Sequence, residues 1–271
     1  KEGDSALLCM PLQYIAGKMV VVRSLVADLK LIPIAPCGHP LKDLKEAPTF
    51  AAMIPMQVYN TLQVPEEREN LMNIKHLIIG GGAIDDALAR ELKSFPNHVW
   101  STYGMTETLS HIALRRLNGT DASDWYTPFE NVSIRLSKEG TLIINAPNVC
   151  PEELITNDIA EINAEGKFRI LGRKDNTINS GGVKIQIEQV EAALKAHLDI
   201  PFQITARKDA KFGEIVVLIY NKVKDEATVR QVCEETLPPY WVPKAYIAVD
   251  ELPMTGTGKP DRATARRLAS L

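Results

Sequence analysis

The stretch His76-Leu77-Ile78-Ile79-Gly80-Gly81-Gly82-Ala83-Ile84-Asp85-Asp86-Ala87-Leu88-Ala89-Arg90-Glu91-Leu92-Lys93-Ser94-Phe95-Pro96-Asn97-His98-Val99-Trp100-Ser101-Thr102 decides the fold class. His76–Ile79 is a short apolar run with the length of a buried strand, ended by three glycines. Asp85–Phe95 follows as a helix, with Asp85 or Asp86 placed to cap it. His98–Thr102 is a second strand. Strand, helix and strand at this spacing predict a parallel α/β sheet, with ligand sites at the carboxyl ends of its strands.

Upstream, Ala6–Met10 and Leu31–Ala35 are further buried-strand runs around a helix-like Ala16–Leu29. Downstream the pattern becomes antiparallel. Val132–Leu136 and Thr141–Asn145 read as one hairpin around Lys138-Glu139-Gly140, and Glu161–Asn163 and Lys167–Leu171 as another around Glu165-Gly166. Gly, Asn, Asp and Ser cluster over Gly172–Gly182, a boundary candidate. Beyond it, Ile187–His197 is an amphipathic helix, Gln203–Arg207 and Glu214–Tyr220 are paired strands, Thr228–Glu235 is a helix and Ala245–Val249 a last strand. The expected architecture is a large parallel-sheet α/β lobe with a small antiparallel β portion (residues 1–173), plus a smaller α+β domain (residues 174–271).

Composition narrows the function. The 271 residues are 45% hydrophobic and 24% charged, with 31 Lys and Arg against 34 Asp and Glu, a net charge of −3. This balance gives no basic field for nucleic acid or an anionic membrane. The longest apolar candidate, Met19–Leu29, is interrupted by Arg23 and Asp28, so no spanning helix is expected, and Lys-Glu-Gly-Asp-Ser at the start has no signal-peptide pattern. Cys9, Cys37, Cys150 and Cys233 are scattered and read as reduced thiols of a cytoplasmic protein. Gly80–Asp85 fails the dinucleotide fingerprint at its last position. Gly258-Lys259 fails the P-loop at Pro253 and Pro260, and neither H-E-x-x-H nor G-x-S-x-G occurs.

Four polar clusters remain. In Ser101–Thr108, Thr106 can donate to a phosphate oxygen, Glu107 is a hard oxygen ligand suited to Mg²⁺, and Tyr103 offers a flat face for a base; alone, the segment reads equally as a helix N-terminus. Thr156-Asn157-Asp158 reads as an exposed turn before a strand, whose carboxylate can accept from two vicinal hydroxyls. In Leu171–Ile185, Arg173 can clamp an anion, and Gly181-Gly182 permits close approach to the backbone; an interdomain linker fits the same residues. Leu252–Arg262 carries Lys259 on a glycine-flanked loop, a cation deliverable to a site or a solvated surface lysine.

Taken together and in order, these clusters resemble the AMP-forming acyl-CoA synthetase superfamily. Tyr-Gly-Met-Thr-Glu (103–107) is similar to its Y-G-x-T-E motif, Thr-Asn-Asp (156–158) to T-G-D, and Gly-Arg-Lys-Asp (172–175) to G-R-x-D. Ile-Asn-Ser-Gly-Gly (178–182) resembles the glycine-rich stretch after the hinge, and the segment 257–259 the terminal catalytic lysine motif. Pro11–Gly17 and Met105–His111 look most like the o-succinylbenzoate–CoA ligases of menaquinone biosynthesis.

The resemblance implies an ATP-dependent acid–CoA ligase with Mg²⁺, in which a carboxylic acid becomes an acyl-adenylate and then a CoA thioester. It assigns catalysis to Lys259, Glu107 and Thr106, with Glu107 on the metal. It places Gly81, Gly82, Ala83, Tyr103, Gly104, Thr106, Asp158 and Arg173 around the nucleotide, with Tyr103 on adenine and Asp158 and Arg173 on the ribose. Tyr14, Ser110 and His111 are the acyl-pocket candidates, although His111 fits a satisfied core histidine almost as well. Asp175 matches the hinge of a mobile small domain, and Gly181 and Gly182 the edge that faces CoA. Partners are small molecules, with neither nucleic acid nor membrane expected and homo-oligomerisation left open.

Three departures accompany the match: Asn157 stands for the glycine of T-G-D, Gly140–Pro147 is a shortened form of a longer family segment, and the Ser/Thr/Gly-rich phosphate loop expected before Ala6 is absent. The chain therefore reads as the C-terminal three-quarters of such an enzyme and is expected not to adenylate alone. Two alternatives stand beside the o-succinylbenzoate reading: a ligase for another aryl or short-chain acid, and a non-catalytic nucleotide-binding module.

Overall fold

A computed structural model describes residues 3–84, 86–255 and 260–270. It divides into two compact units: Lys1–Ser137 with Leu142–Thr156 and Glu161–Arg169, and Lys138–Thr141 with Asn157–Ala160 and Ile170–Leu271. Among the described residues, no helix is long and apolar enough to cross a membrane.

The first unit is built on β1 (Ser5–Leu8), α1 (Ile15–Val26), β2 (Lys30–Pro33), β3 (Phe50–Met53), α2 (Pro55–Leu62), α3 (Pro65–Asn73), β4 (His76–Ile79), α4 (Asp86–Leu92), β5 (His98–Gly104), β6 (His111–Arg116) and β7 (Thr127–Pro128). Their sheet runs in the order β2-β1-β3-β4-β5-β6-β7. The pairs from β2 to β5 are parallel, whereas β5–β6 and β6–β7 are antiparallel. The predicted parallel sheet is thus mixed. The cause is local: β5 and β6 are joined by six residues, too short for a helical crossover and long enough for a reversal.

Leu7, Met53, Leu71, Ile74, Leu77, Ile79, Leu92 and Val99 fill the core of this sheet and its helices. Buried amides fix the entry to β5. Asn97 Nδ2 donates to the carbonyls of Leu71 (2.9 Å) and Ile74 (2.7 Å), and Asn118 Nδ2 to those of Phe95 (2.8 Å) and Asn97 (2.7 Å). The strand that carries the Tyr103–Glu107 motif is therefore anchored at its start by the buried amide donors of Asn97 and Asn118, while Asn97 Oδ1 is left without a partner among the described residues.

Downstream come β8 (Ser133–Leu136), β9 (Thr141–Ala146), β10 (Cys150–Ile162) and β11 (Phe168–Arg173), in the order β11-β10-β9-β8. The expected hairpin of β8 and β9 forms, with Ser133 opposite Asn145 and Leu136 opposite Leu142. The expected turn at Thr156-Asn157-Asp158 does not: these residues lie inside the thirteen-residue β10. Thr156 is buried, and its hydroxyl donates to the Leu142 carbonyl at 2.8 Å. That interior bond and the strand ladder override the turn preference of Asn and Asp.

The second unit contains β12 (Thr177–Ser180), β13 (Val183–Gln186), α5 (Ile187–Lys195), β14 (Phe202–Asp209), β15 (Gly213–Asn221), α6 (Glu226–Thr236), β16 (Ala245–Val249) and α7 (Arg262–Ala269). Strands order as β13-β12-β15-β14, with β16 parallel to β15. Ile178, Ile185, Val190, Leu194, Ile204, Leu218 and Val229 form its core. The stretch read as a linker up to Gly182 is largely regular structure, because Ile178 and Ile185 face each other across the β12–β13 hairpin and bury completely. Asp225 and Asp261 cap α6 and α7 by accepting from the backbone N–H of Thr228 and Thr264.

Candidate functional site

Tyr103 and Gly104 end β5, two residues beyond the predicted strand, and the chain then reverses through a single helical turn, Thr106–Thr108. Gly104 is required by contact: a Cβ there would meet the Ser110 carbonyl oxygen at 2.3 Å and the His111 Cα at 2.5 Å. Thr108 is 1% exposed. Its Oγ1 accepts from the Met105 N–H (3.0 Å) and lies within donating reach of the carbonyls of Met105 (3.0 Å) and Ser110 (2.7 Å). Leu109 closes the reversal at φ +58°. With Thr108 turned inward, Thr106 and Glu107 stand exposed at the apex, where a hydroxyl and a carboxylate can meet a phosphate and a cation.

Across this reversal lies a group that the sequence reading missed. Arg23 of α1 donates through Nη2 to Ser110 Oγ and approaches His111 Nδ1 at 3.3 Å. A guanidinium has no lone pair to offer, so Nδ1 is the acceptor and the imidazole proton sits on Nε2. Burial, then the nearby Arg23 charge, pushes His111 down to about 4. Burial also lowers Arg23, whose guanidinium nonetheless stays cationic at neutral pH. The cluster is thus a single half-buried positive charge beside a neutral histidine and a hydroxyl, a receptor for one anionic oxygen group. The signal was in the sequence, since Arg23 is one of the two charges that interrupt the apolar run Met19–Leu29. Tyr14 sits at the N-cap of α1, 52% exposed.

Gly81, Gly82 and Ala83 form the exposed loop after β4, and Gly81 adopts φ +79°. The loop abuts β5, because a Cβ on Gly80 would lie 2.2 Å from Thr102 Oγ1. Tyr103 is not a free platform. Its ring packs edge-on to buried Phe168 at 5.0 Å and tilted against Tyr126 at 5.9 Å, which sets its plane. Asp85, one of the two expected caps of α4, lies outside the described residues.

In the second unit the structure brings Asp158, Arg173 and Asp175 together. Arg173 Nη1 donates to Asp158 Oδ1 at 3.2 Å, while Nε and Nη2 both donate to Asp175 at 3.0 Å. The paired bonds from Arg173 hold the Asp175 carboxyl below its usual range. Asp158 keeps only 15% of its side chain exposed against 47% for Arg173. Asp175, expected at the hinge, is thus bound to the same guanidinium as Asp158. Gly181 and Gly182 form the two-residue turn between β12 and β13, with φ +57° and +84°, values that favour glycine at both positions. Lys259 lies outside the described residues.

No group of three or more His, Cys, Asp and Glu suited to a metal occurs among the described residues. Glu107 alone, exposed beside Thr106, fits a Mg²⁺ that brings most of its oxygens from water and phosphates, the usual manner of that ion.

The model of the AMP-binding enzyme family matches residues 1–149, and that of the AMP-binding enzyme C-terminal domain matches residues 189–259. A 2-succinylbenzoate–CoA ligase of Listeria innocua is 24% identical over 96% of this chain and 61% of its own length. The chain therefore spans about three-fifths of the curated relatives it matches. A solved acyl-CoA synthetase (AMP-forming)/AMP-acid ligase II-like protein from Dyadobacter fermentans is 32% identical, covering 97% of this chain and 77% of that one, with a TM-score of 0.61. The o-succinylbenzoate CoA synthetase of Bacillus subtilis, solved with its acyl-adenylate intermediate, shares the fold at a TM-score of 0.82 and 21% identity, over 98% of this chain and 61% of that one. With its model covering more than half of the sequence, the chain belongs to the AMP-binding enzyme family.

Proposed function

We propose that this chain carries the nucleotide and acyl determinants of an ATP-dependent acid–CoA ligase, and that its acid is o-succinylbenzoate. The observation that carries the substrate is the Arg23–Ser110–His111 cluster. An acid with two carboxylates presents one for activation and keeps the other anionic. A half-buried guanidinium beside a neutral histidine matches that second charge, and an acid without it would leave Arg23 uncompensated. The names of the relatives support the same acid.

In the first step a carboxylate oxygen of the acid attacks the α-phosphorus of ATP, the bond to the bridging oxygen breaks and pyrophosphate leaves. In the second the CoA thiol, losing its proton, attacks the acyl carbon and AMP departs with the bonding pair. This chain's residues bind and orient. Thr106 donates to a phosphate oxygen, Asp158 accepts from the ribose hydroxyls with Arg173 beside it, and the plane of Tyr103 orients adenine. Glu107 would hold a Mg²⁺ ion, which when bound would supply neutralisation of phosphate charge. Lys259 offsets the repulsion between carboxylate and polyphosphate, and in an enzyme that also carries the phosphate loop Lys259→Ala is expected to slow adenylation roughly 10²–10³-fold while sparing thiolation of supplied acyl-adenylate. Because CoA brings its own sulfur, no protein nucleophile is needed.

The test is calorimetric titration of the chain with two non-hydrolysable acyl-adenylate analogues, one built on o-succinylbenzoate and one on benzoate. Tighter binding of the first, with the difference erased in Arg23→Gln, supports the reading. Equal affinities point to another aryl acid, and binding of AMP with no gain from either acyl group points to a nucleotide-binding module.

A further inference from the structure

The buried Thr108 hydroxyl touches both sides of the candidate site. Through Met105 it holds the residue before Thr106-Glu107, and through the Ser110 carbonyl it holds the residue whose side chain meets Arg23 and whose neighbour is His111. Around it, Thr108 N–H bonds to the Met105 carbonyl (3.3 Å), Leu109 N–H to that of Thr106 (3.0 Å) and Ser110 N–H to that of Thr108 (2.6 Å). Gly104, pressed against Ser110 and His111, closes the base of the loop. Leu109 at φ +58° is a conformation that a branched side chain enters only when its surroundings impose it. Thr108 is buried within this loop, and its one proton can serve either of two carbonyls, so the hydroxyl ties the apex to the returning strand.

We propose that Thr108 is a positioning residue that fixes Thr106 and Glu107 relative to the Arg23–Ser110–His111 cluster, and so couples phosphate and metal handling to acyl recognition. The inference rests on the ligase reading for its ligands, but its geometry stands apart from it. Thr108 itself touches no substrate. Its hydroxyl acts through Met105 and Ser110, and the cost of losing it is misplacement of the side chains at both ends.

The experiment compares the wild-type chain with Thr108→Val, which keeps the shape and removes the bonds, and Thr108→Ser, which keeps the bonds and removes a methyl. Titration with Mg²⁺·ATP and, separately, with AMP reads the coupling. Thr108→Val is expected to weaken Mg²⁺·ATP about tenfold and AMP less than about twofold, and Thr108→Ser to restore Mg²⁺·ATP to within about threefold of wild type. Equal losses for the two nucleotides, no loss, or failure of the serine variant to restore binding would overturn the proposal. If the wild-type chain binds neither nucleotide, the ligase reading fails on its own, and amide hydrogen exchange decides the geometric claim. In Thr108→Val, faster exchange at Met105 and Ser110 with unchanged exchange at Leu77 and Val99 supports it. Unchanged exchange at Met105 and Ser110, or uniform acceleration at all four, overturns it.

Discussion

The reversal at Gly104–Ser110 and the fork at Arg173 are built in opposite ways. In the first, backbone meets backbone at Gly104 and a fully buried hydroxyl holds the loop from inside. In the second, ion pairs from the half-exposed Arg173 to the half-exposed Asp175 and the largely buried Asp158 set the arrangement. Buried contacts of the first kind are insensitive to salt and intolerant of a single added methyl. Exposed pairs of the second kind contribute little to stability, and a ligand hydroxyl or phosphate can take over their partners. The contrast suits the roles proposed: a rigid apex for charge, and an adaptable clasp for a ribose.

The largest effect should come from Gly104→Ala. Its Cβ would collide with backbone that no rotamer change can move, and about 2–3 kcal/mol of stability should be lost in urea unfolding. A loss below about 1 kcal/mol would show the reversal to be pliant and remove the contrast.

Next comes His111. Its native pKa of about 4 lies below the ordinary value of 6.5 for the unfolded chain. The unfolded state therefore takes up the proton first as pH falls, and the contribution of a neutral His111, complete above about pH 6.5, is lost between there and about pH 4. Against His111→Asn, which has no charge to gain, the wild-type chain should lose roughly 2–3 kcal/mol more across that window. Parallel pH profiles would mean that the imidazole is freely hydrated.

Gly182→Ala should cost about 1 kcal/mol. The space beside Gly182 is open, so only its φ of +84° resists a side chain. Gly182→Asn, a residue that tolerates this region, should recover part of the loss. The smallest effect should be that of Arg173→Ala on stability, under about 0.5 kcal/mol and smaller still in high salt. The same variant should weaken AMP binding clearly, a separation of stability from binding that Gly104 cannot show.

The sequence made the alternating strands and helices of residues 76–102 legible because apolar length and glycine punctuation agree there, and likewise the β8–β9 hairpin and, in the second unit, α5, β14, β15, α6 and β16, but not the β12–β13 hairpin or α7. It concealed α2 and α3. Both start at a proline after an apolar residue, with Gln57 Oε1 accepting from the Ile54 N–H in place of an ordinary capping side chain. The Phe50–Met53 strand was missed because it is only four residues long and carries two alanines. Of the candidate site, the residues with self-evident chemistry (Thr106, Glu107, Asp158 and Arg173) stood out by type. Arg23 and Thr108 did not, since their parts come from partners distant in sequence or hidden in a turn. Asp158 was found for its carboxylate but placed in the wrong local structure, because strand pairing is a long-range property that turn preference does not encode.

The central claim is that one acyl-adenylate engages both the Tyr103–Glu107 segment and the Arg23–Ser110–His111 cluster of the first unit. Hydrogen exchange of the chain with and without a non-hydrolysable o-succinylbenzoyl-adenylate analogue tests it directly. The account predicts protection of both segments at a stoichiometry of one; protection of only one of them, or of neither at saturating ligand, would contradict it.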